Sequence, residues 1–238
     1  MRLLWLRSCN ISKGKILFLH GYLSSGKSFN YQMQYFRREF EVFAPDLKGF
    51  GENLGMEKPY SLDDYIAEVE EFKHKNGLIS PHIIAHSFGA RIAIKATAKD
   101  KNFCNKLVLT GAAGLKSKWT LKKAVNKSAF NILKTFVKRE KLKGFYSKDY
   151  LSLSPVMKES FKLIVGEQLD YCLSKIENKT LIIFGKDDKE TPIYMAKRLH
   201  NGIKGSKLSI FNDAGHFCFV DKPYKFNVEV REFLLSKD

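Results

Sequence analysis

A serine at a predicted strand-to-helix turn is the first residue whose position could support chemistry. The apolar run 82–85 is typical of a buried strand, and residues 87–99 have the pattern of a helix. Ala85 and Gly89 lie two positions before and after Ser87, so that strand and helix can approach closely. This geometry projects the hydroxyl away from the sheet edge, beside the backbone N–H groups of the helix. Ser87 is therefore a candidate nucleophile; the alternative is an ordinary helix N-cap.

Side chains of complementary chemistry follow two predicted strands later in the chain. Asp187 and Asp188 come after the apolar run 180–184, and His216 comes after the run 207–211. An imidazole can take the proton of a serine hydroxyl, and a carboxylate can orient that imidazole and stabilise its charged form. Because the carboxyl ends of parallel strands meet at one edge of a sheet, we expect these side chains to converge with Ser87.

The elements that must position these residues alternate between strands and helices. Apolar runs predict the strands, and apolar residues at helical spacing predict the helices. The alternation indicates an α/β fold with a doubly wound, mostly parallel sheet. The predicted strands are 15–20, 41–44, 82–85, 106–110, 180–184 and 207–211, and the predicted helices are 28–40, 62–75, 87–99, 192–200 and 223–235.

One long segment breaks this alternation. Residues 115–178 show helical patterning only, including a predicted helix over 155–167. We interpret the segment as a helical cap inserted over the carboxyl edge of the sheet. The predicted division is a core formed by residues 1–114 and 179–238, with the cap between its two parts.

Four short motifs together carry a resemblance to a known family. His20, Gly21 and Tyr22 follow the first long predicted strand, and the serine, the aspartate and the histidine follow later strands in the order nucleophile, acid, base. The chain resembles a small capped serine hydrolase of the α/β-hydrolase superfamily over nearly its whole length. The resemblance implies the α/β-hydrolase fold, with a helical cap inserted between the sixth and seventh strands of that fold.

The resemblance also implies a role for each motif. Ser87 would be the nucleophile, His216 its base, and Asp188 the acid that orients the imidazole. The backbone N–H groups of Tyr22 and Phe88 would form the oxyanion hole.

Two adjacent aspartates compete for the role of the acid. Asp188 is preferred to Asp187 because it stands four residues before Pro192, which is the family's acid-to-proline spacing. The other position that the family uses for the acid, after the preceding strand, holds Gly111 and Ala112 here.

The implied reaction is hydrolysis of a small or medium carboxylic ester or related acyl compound through an acyl-enzyme, without a metal or organic cofactor. Cleavage of a carbon–carbon bond in a vinylogous diketone acid stays open as a second reaction. Relatives with that activity usually carry Asn before the nucleophile and Trp after the histidine, where this chain has His86 and Phe217. Substrate contacts are predicted at these two residues and at Arg91, which resembles an arginine of relatives that handle carboxylated substrates.

Two alternatives belong to other functional classes. Residues 21–28 match the phosphate-loop pattern G-x-x-x-x-G-K-[ST], in which backbone N–H groups cradle phosphates, Lys27 neutralises charge and Ser28 binds magnesium. That class needs a magnesium-binding aspartate after a strand, for which Asp46 is the only candidate, and it leaves the serine elbow unexplained. The other alternative is a catalytically silent member of the hydrolase family that binds a ligand or a protein.

The chain carries a formal net charge of +16, and the predicted cap is its most basic part. Residues 115–148 contain eleven lysines and arginines but one acidic residue, Glu140. Three interpretations stay open: solvated lysines on a cap helix, attraction of an anionic substrate, or peripheral contact with an anionic membrane. Nucleic acid is not expected as a partner, because no nucleic-acid recognition motif accompanies the lysines. The four scattered cysteines and the lack of a signal peptide or apolar span predict a cytoplasmic protein with reduced thiols.

Overall fold

The computed structural model describes residues 5–6, 12–117 and 153–237. Its sheet has seven strands in the order β1-β3-β2-β4-β5-β6-β7. The first strand pairs antiparallel with β3, and every other pair is parallel. The strands are β1 (Trp5–Leu6), β2 (Lys15–Leu19), β3 (Glu41–Phe43), β4 (His82–His86), β5 (Leu107–Thr110), β6 (Thr180–Gly185) and β7 (Lys207–Phe211). The predicted doubly wound, mostly parallel sheet is confirmed.

Helices connect the strands on both sides of the sheet. In the described ranges the α-helices are α1 (Asn30–Phe36), α2 (Leu62–Lys75), α3 (Phe88–Lys99), α4 (Pro155–Gly166), α5 (Ile193–Gly202), α6 (Cys218–Asp221) and α7 (Pro223–Leu235). Short 3-10 helices cover Gly26–Phe29, Lys101–Phe103 and Asp170–Lys175.

Three local differences from the prediction have simple causes. The helix predicted over 28–40 begins as a 3-10 turn and ends at Phe36, because Glu39 and Phe40 donate to the Phe36 carbonyl and turn the chain into β3. The strand β1 and the helix α6 were not predicted, because two and four residues are too few to show a period.

The central strands are buried on both faces. Along β2, Ile16 and Phe18 belong to one apolar cluster, whereas Leu17 and Leu19 belong to the other. One cluster includes the apolar faces of α2 and α3, and the opposite cluster includes those of α1 and α7. A strand buried on both faces reads as a continuous apolar run, which is why the sequence pattern found these strands.

The segment predicted as the cap is described only in part. It lies between β5 and β6, the fifth and sixth strands of the described ranges, whereas the family's count places it one strand later; residues 1–4 and 7–11 are outside those ranges. Its helix α4 confirms the one predicted over 155–167 and rests on the loop after β2, where the Tyr22 hydroxyl donates to the Met157 carbonyl at 3.4 Å. The basic residues from 118 to 148 lie outside the described ranges. No helix within those ranges is long and apolar enough to cross a bilayer.

Candidate active site

Ser87 lies at a strained corner between β4 and α3. Its backbone has φ 49° and ψ −106°, a conformation that residues other than glycine rarely adopt. The next turn depends on Gly89, because a side chain there would overlap the carbonyl oxygen of Leu19. The Gly89 N–H instead donates to the His20 carbonyl at 3.0 Å. Strain that the surrounding structure holds in place is a feature of functional sites.

The hydroxyl of Ser87 does not act as a helix cap. Its side chain makes no hydrogen bond to the first turn of α3, although the residue occupies the N-cap position. The backbone is held by the neighbouring strand instead, since the Ser87 N–H donates to Thr110 and the Ser87 carbonyl accepts from Ala113. The structural alternative for this serine therefore has no support, and its half-buried side chain is left for another role.

His216 and Asp188 form a direct hydrogen-bonded pair. The Nδ1 of His216 lies 2.8 Å from the Oδ2 of Asp188, and both side chains are buried. Because a carboxylate only accepts, the imidazole donates from Nδ1, which leaves Nε2 as its acceptor nitrogen. The neighbouring Asp187 is exposed, and it is Asp188 that reaches the histidine.

A second set of donors fixes the carboxylate of Asp188. It accepts from the backbone N–H of Glu190 at 2.9 Å, from the backbone N–H of Thr191 at 2.8 Å and from the Thr191 hydroxyl at 2.7 Å. Burial alone would raise the pKa of Asp188, but the hydrogen bonds from His216 and Thr191 outweigh it and hold that pKa below its usual value. Thr191 was missed by the sequence analysis; the signal was a hydroxyl residue three positions after an aspartate, an arrangement typical of turns that begin helices.

Contacts between His86 and His216 show that the pair of His216 and Asp188 lies next to the serine corner. The His86 and His216 rings are 4.6 Å apart, and the Nε2 of His86 lies 3.1 Å from the His216 carbonyl oxygen. Since His86 directly precedes Ser87, the imidazole of His216 lies beside the elbow. No hydrogen bond joins Ser87 to His216 within the described part of the chain. Such bonds are often long or poorly aligned until substrate binds.

His86 is buried among aromatic rings next to His216. Its side chain is 1% exposed and packs against the rings of Phe217 and Phe219 as well as His216. Burial, together with the nearby imidazole of His216, lowers the pKa of His86 to about 3, so the ring is neutral. The side chain is enclosed by its neighbours, and the predicted substrate contact at His86 stays a prediction.

The other two predicted substrate contacts have different surroundings. Arg91 donates to the carbonyl oxygens of Ile164 and Glu167 at 2.8 and 2.9 Å, and so binds the C-terminal end of α4 to α3. Burial lowers the pKa of Arg91 to about 10, although Glu167 raises it. The structure gives Arg91 two partners within the chain, and its contact with substrate stays a prediction. Phe217 is 42% exposed beside the His216 ring, and its contact with substrate stays a prediction.

The first motif lies beside the serine corner, because a side chain at Gly21 would come 3.5 Å from the Cβ of Ser87. His20 is buried, accepts from the Leu47 N–H at Nε2 and contacts the Gly21 carbonyl through Nδ1, which makes it a structural partner of the loop. The Tyr22 ring packs against Phe88, 5.6 Å between centroids. As Phe88 is the first residue of α3, its N–H has no acceptor within the helix. The predicted oxyanion hole at Tyr22 and Phe88 stays a prediction.

The loop that matched the phosphate-binding pattern has partners within the chain for its polar groups. The Gly26 N–H donates to the buried carboxylate of Asp46 at 2.7 Å, and a side chain at Gly26 would overlap the Ala44 carbonyl. Lys27 forms an ion pair with Glu52, and the Ser28 hydroxyl donates to the Ser25 carbonyl. The groups that would hold phosphate and magnesium are thus used by the chain itself.

Comparisons with known proteins identify the fold family. The family model described as alpha/beta hydrolase fold matches residues 15–135. The AB hydrolase superfamily protein YisY of Bacillus subtilis is 26% identical, with 92% of this chain and 90% of that protein covered. The 2-hydroxy-6-oxo-2,4-heptadienoate hydrolase of Pseudomonas putida is 22% identical, with 84% and 80% covered. An esterase from Exiguobacterium antarcticum superposes with a TM-score of 0.76 at 22% identity, covering 98% of this chain and 95% of that one. The chain belongs to the α/β-hydrolase fold family.

Proposed function

We propose that this protein is a serine hydrolase that cleaves small or medium carboxylic esters or related acyl compounds. The hydrogen bond between Asp188 and His216, beside the strained Ser87 corner, is the observation that carries the proposal. It fixes the imidazole in the tautomer whose free nitrogen can accept a proton from a serine hydroxyl. A cytoplasmic location, suggested by the scattered cysteines, is part of the same proposal.

The first half of the reaction forms an acyl-enzyme. Ser87 Oγ attacks the carbonyl carbon of the ester while His216 Nε2 takes the hydroxyl proton, and Asp188 stabilises the resulting imidazolium. The backbone N–H groups of Tyr22 and Phe88 hold the oxyanion, and one such donor is typically worth about 3 kcal/mol of barrier. The imidazolium then gives its proton to the leaving alcohol as the carbon–oxygen bond breaks.

The second half releases the acid. A water molecule gives a proton to His216 and attacks the acyl carbon, and the bond to Ser87 breaks as the serine oxygen recovers that proton. The sequence of steps consumes one water and needs no oxidant, reductant or cofactor.

Carbon–carbon bond hydrolysis is the second candidate. It is favoured by the Pseudomonas putida relative, whose name describes a hydrolase of 2-hydroxy-6-oxo-2,4-heptadienoate. The position of Arg91 weighs against it, because this cation already binds two carbonyl oxygens of the inserted segment.

The test is a series of 4-nitrophenyl esters of graded chain length, together with a vinylogous diketone acid, given to the wild type and to Ser87→Ala. We expect ester turnover with a pre-steady-state burst of nitrophenolate in the wild type and none in the variant. Ester turnover that persists in Ser87→Ala would overturn the mechanism, and turnover of the diketone acid alone would favour the second candidate. Addition of anionic vesicles to the same series tests membrane contact through the basic residues of the cap, which would raise activity on the longer esters.

A further inference from the structure

A second carboxylate lies at the reactive side of the candidate base. One carboxylate oxygen of Glu190 is 3.4 Å from His216 Nε2, the nitrogen that Asp188 leaves free. The Glu190 side chain is 69% exposed, whereas that of His216 is 7% exposed, so the carboxylate stands on the solvent side of the imidazole. The backbone of Glu190 is fixed, because its N–H donates to Asp188.

This position places a negative charge beside the nitrogen that takes the proton in the proposed reaction. Nε2 is the nitrogen that would take the Ser87 proton. A substrate group that binds for this reaction would therefore lie next to the Glu190 carboxylate. Two like charges at such a distance repel each other, most strongly when the site excludes water and salt.

Two cations of α3 do not offset this charge for a ligand. Arg91 binds two backbone carbonyls at the end of α4. Lys95, one helical turn further along α3, is 7% exposed and pairs with Asp63 at 2.9 Å and with Glu167 at 2.7 Å. Both cations hold the inserted segment against the core, so neither is left to receive a carboxylate.

We infer that the site selects esters with an uncharged acyl group over esters whose acyl group carries a carboxylate, with Glu190 as the specificity-determining residue. The inference rests on the proposed hydrolase function. It runs against the net charge of +16, because this carboxylate lies 3.4 Å from the reacting nitrogen, whereas charges spread over the surface are screened by salt.

The test compares two esters of equal acyl length, 4-nitrophenyl hexanoate and the mono-4-nitrophenyl ester of adipic acid. The measured quantity is the ratio of their kcat/KM values, neutral over charged, at neutral pH and low salt. We expect this ratio to exceed the corresponding ratio of rate constants for hydrolysis of the two esters by hydroxide without the enzyme. In Glu190→Gln it should fall about threefold to tenfold, and in Glu190→Lys it should fall further.

A matched control removes the same charge elsewhere. Glu177 is as exposed as Glu190 but precedes β6, at the opposite edge of the sheet. Glu177→Gln should therefore leave the ratio at its wild-type value, and high salt should reduce the difference between the wild type and Glu190→Gln.

The outcomes separate this inference from the function on which it rests. If both esters are cleaved through Ser87 but Glu190→Gln keeps the wild-type ratio, or the wild type prefers the charged ester, the inference is wrong and the hydrolase assignment stands. If neither ester is cleaved, or cleavage survives Ser87→Ala, the proposed function fails and the inference fails with it.

Discussion

Two corners of the chain, each of which follows a strand of the sheet, differ in what the nearby buried aspartate binds. Asp46 lies beside the glycine-rich corner after β2, and Asp188 lies beside the serine elbow after β4 through its bond to His216. The oxygens of the Asp46 side chain accept from the backbone N–H groups of Gly26 and Glu52, so this carboxylate binds the main chain. Asp188 also accepts from the main chain, but one of its oxygens is directed to an imidazole.

The difference teaches how to separate a structural corner from a functional one. At the first corner the backbone donor and the charged side chain have partners within the chain, and the glycine is needed for close packing. At the second, the backbone is strained and the serine hydroxyl caps nothing. A structural corner satisfies its polar groups, whereas a functional corner keeps one for the substrate.

The largest loss of activity should follow substitution of Asp188, the carboxylate beside the functional corner. Asp188→Asn offers an amide N–H to His216 and favours the tautomer that cannot take the serine proton, so we expect kcat on 4-nitrophenyl esters to fall about a thousandfold or more. The unfolding midpoint in urea should change little by comparison. Asp187→Asn, the adjacent exposed site, should keep kcat within about twofold; equal losses in the two variants would contradict the assignment of the acid.

The same substitution at the structural corner should affect stability. Asp46→Asn places an amide where two backbone N–H groups need acceptors, so we expect the free energy of unfolding to fall by about 2–3 kcal/mol. The kcat per folded molecule should stay within about twofold of the wild type. Urea denaturation measures the first quantity and active-site titration with steady-state kinetics the second; a thousandfold loss of kcat with normal stability would place Asp46 in the reaction.

Neutral, buried histidines should make the fold sensitive to mild acid. Burial, together with the nearby imidazole of His216, lowers the pKa of His86 to about 3, and burial with Lys106 lowers that of His82 to about 4, from an ordinary value of 6.5. Below pH 6.5 the unfolded chain binds protons that the folded chain does not bind, so the stability lost for each histidine should approach about 1.4 kcal/mol per pH unit. Urea titrations between pH 7 and 5 test this, and His86→Gln should reduce the slope by one histidine's share. A wild-type slope of zero in this range would contradict it.

The smallest effect is expected at the lysine of the structural corner. Lys27 pairs with Glu52 at the surface, and exposed ion pairs contribute little, so Lys27→Ala should change stability by about 0.5 kcal/mol or less. Ester turnover should stay within about twofold of the wild type, and ATP with magnesium should leave the thermal midpoint unchanged. A midpoint that rises with ATP in the wild type and not in Lys27→Ala would restore the phosphate-loop alternative.

Much of the fold was predictable because its strands are buried on both faces. Continuous apolar runs located the strands β2 to β7, and the serine between two small residues located the corner after β4. What the sequence could not show were contacts across long separations. Arg91 resembled a substrate-binding arginine, but its acceptors are main-chain carbonyls more than seventy residues away. The sequence analysis assigned no role to Glu190, and only the folded loop places its carboxylate next to His216.

The most direct test of the account is the site of reaction with a fluorophosphonate, which modifies activated serines. Intact-protein and peptide mass spectrometry of the wild type should show one adduct, on Ser87, formed much more slowly in His216→Ala and absent in Ser87→Ala. An adduct on another residue, or labelling of Ser87 at an unchanged rate without His216, would contradict the claim that these side chains act together.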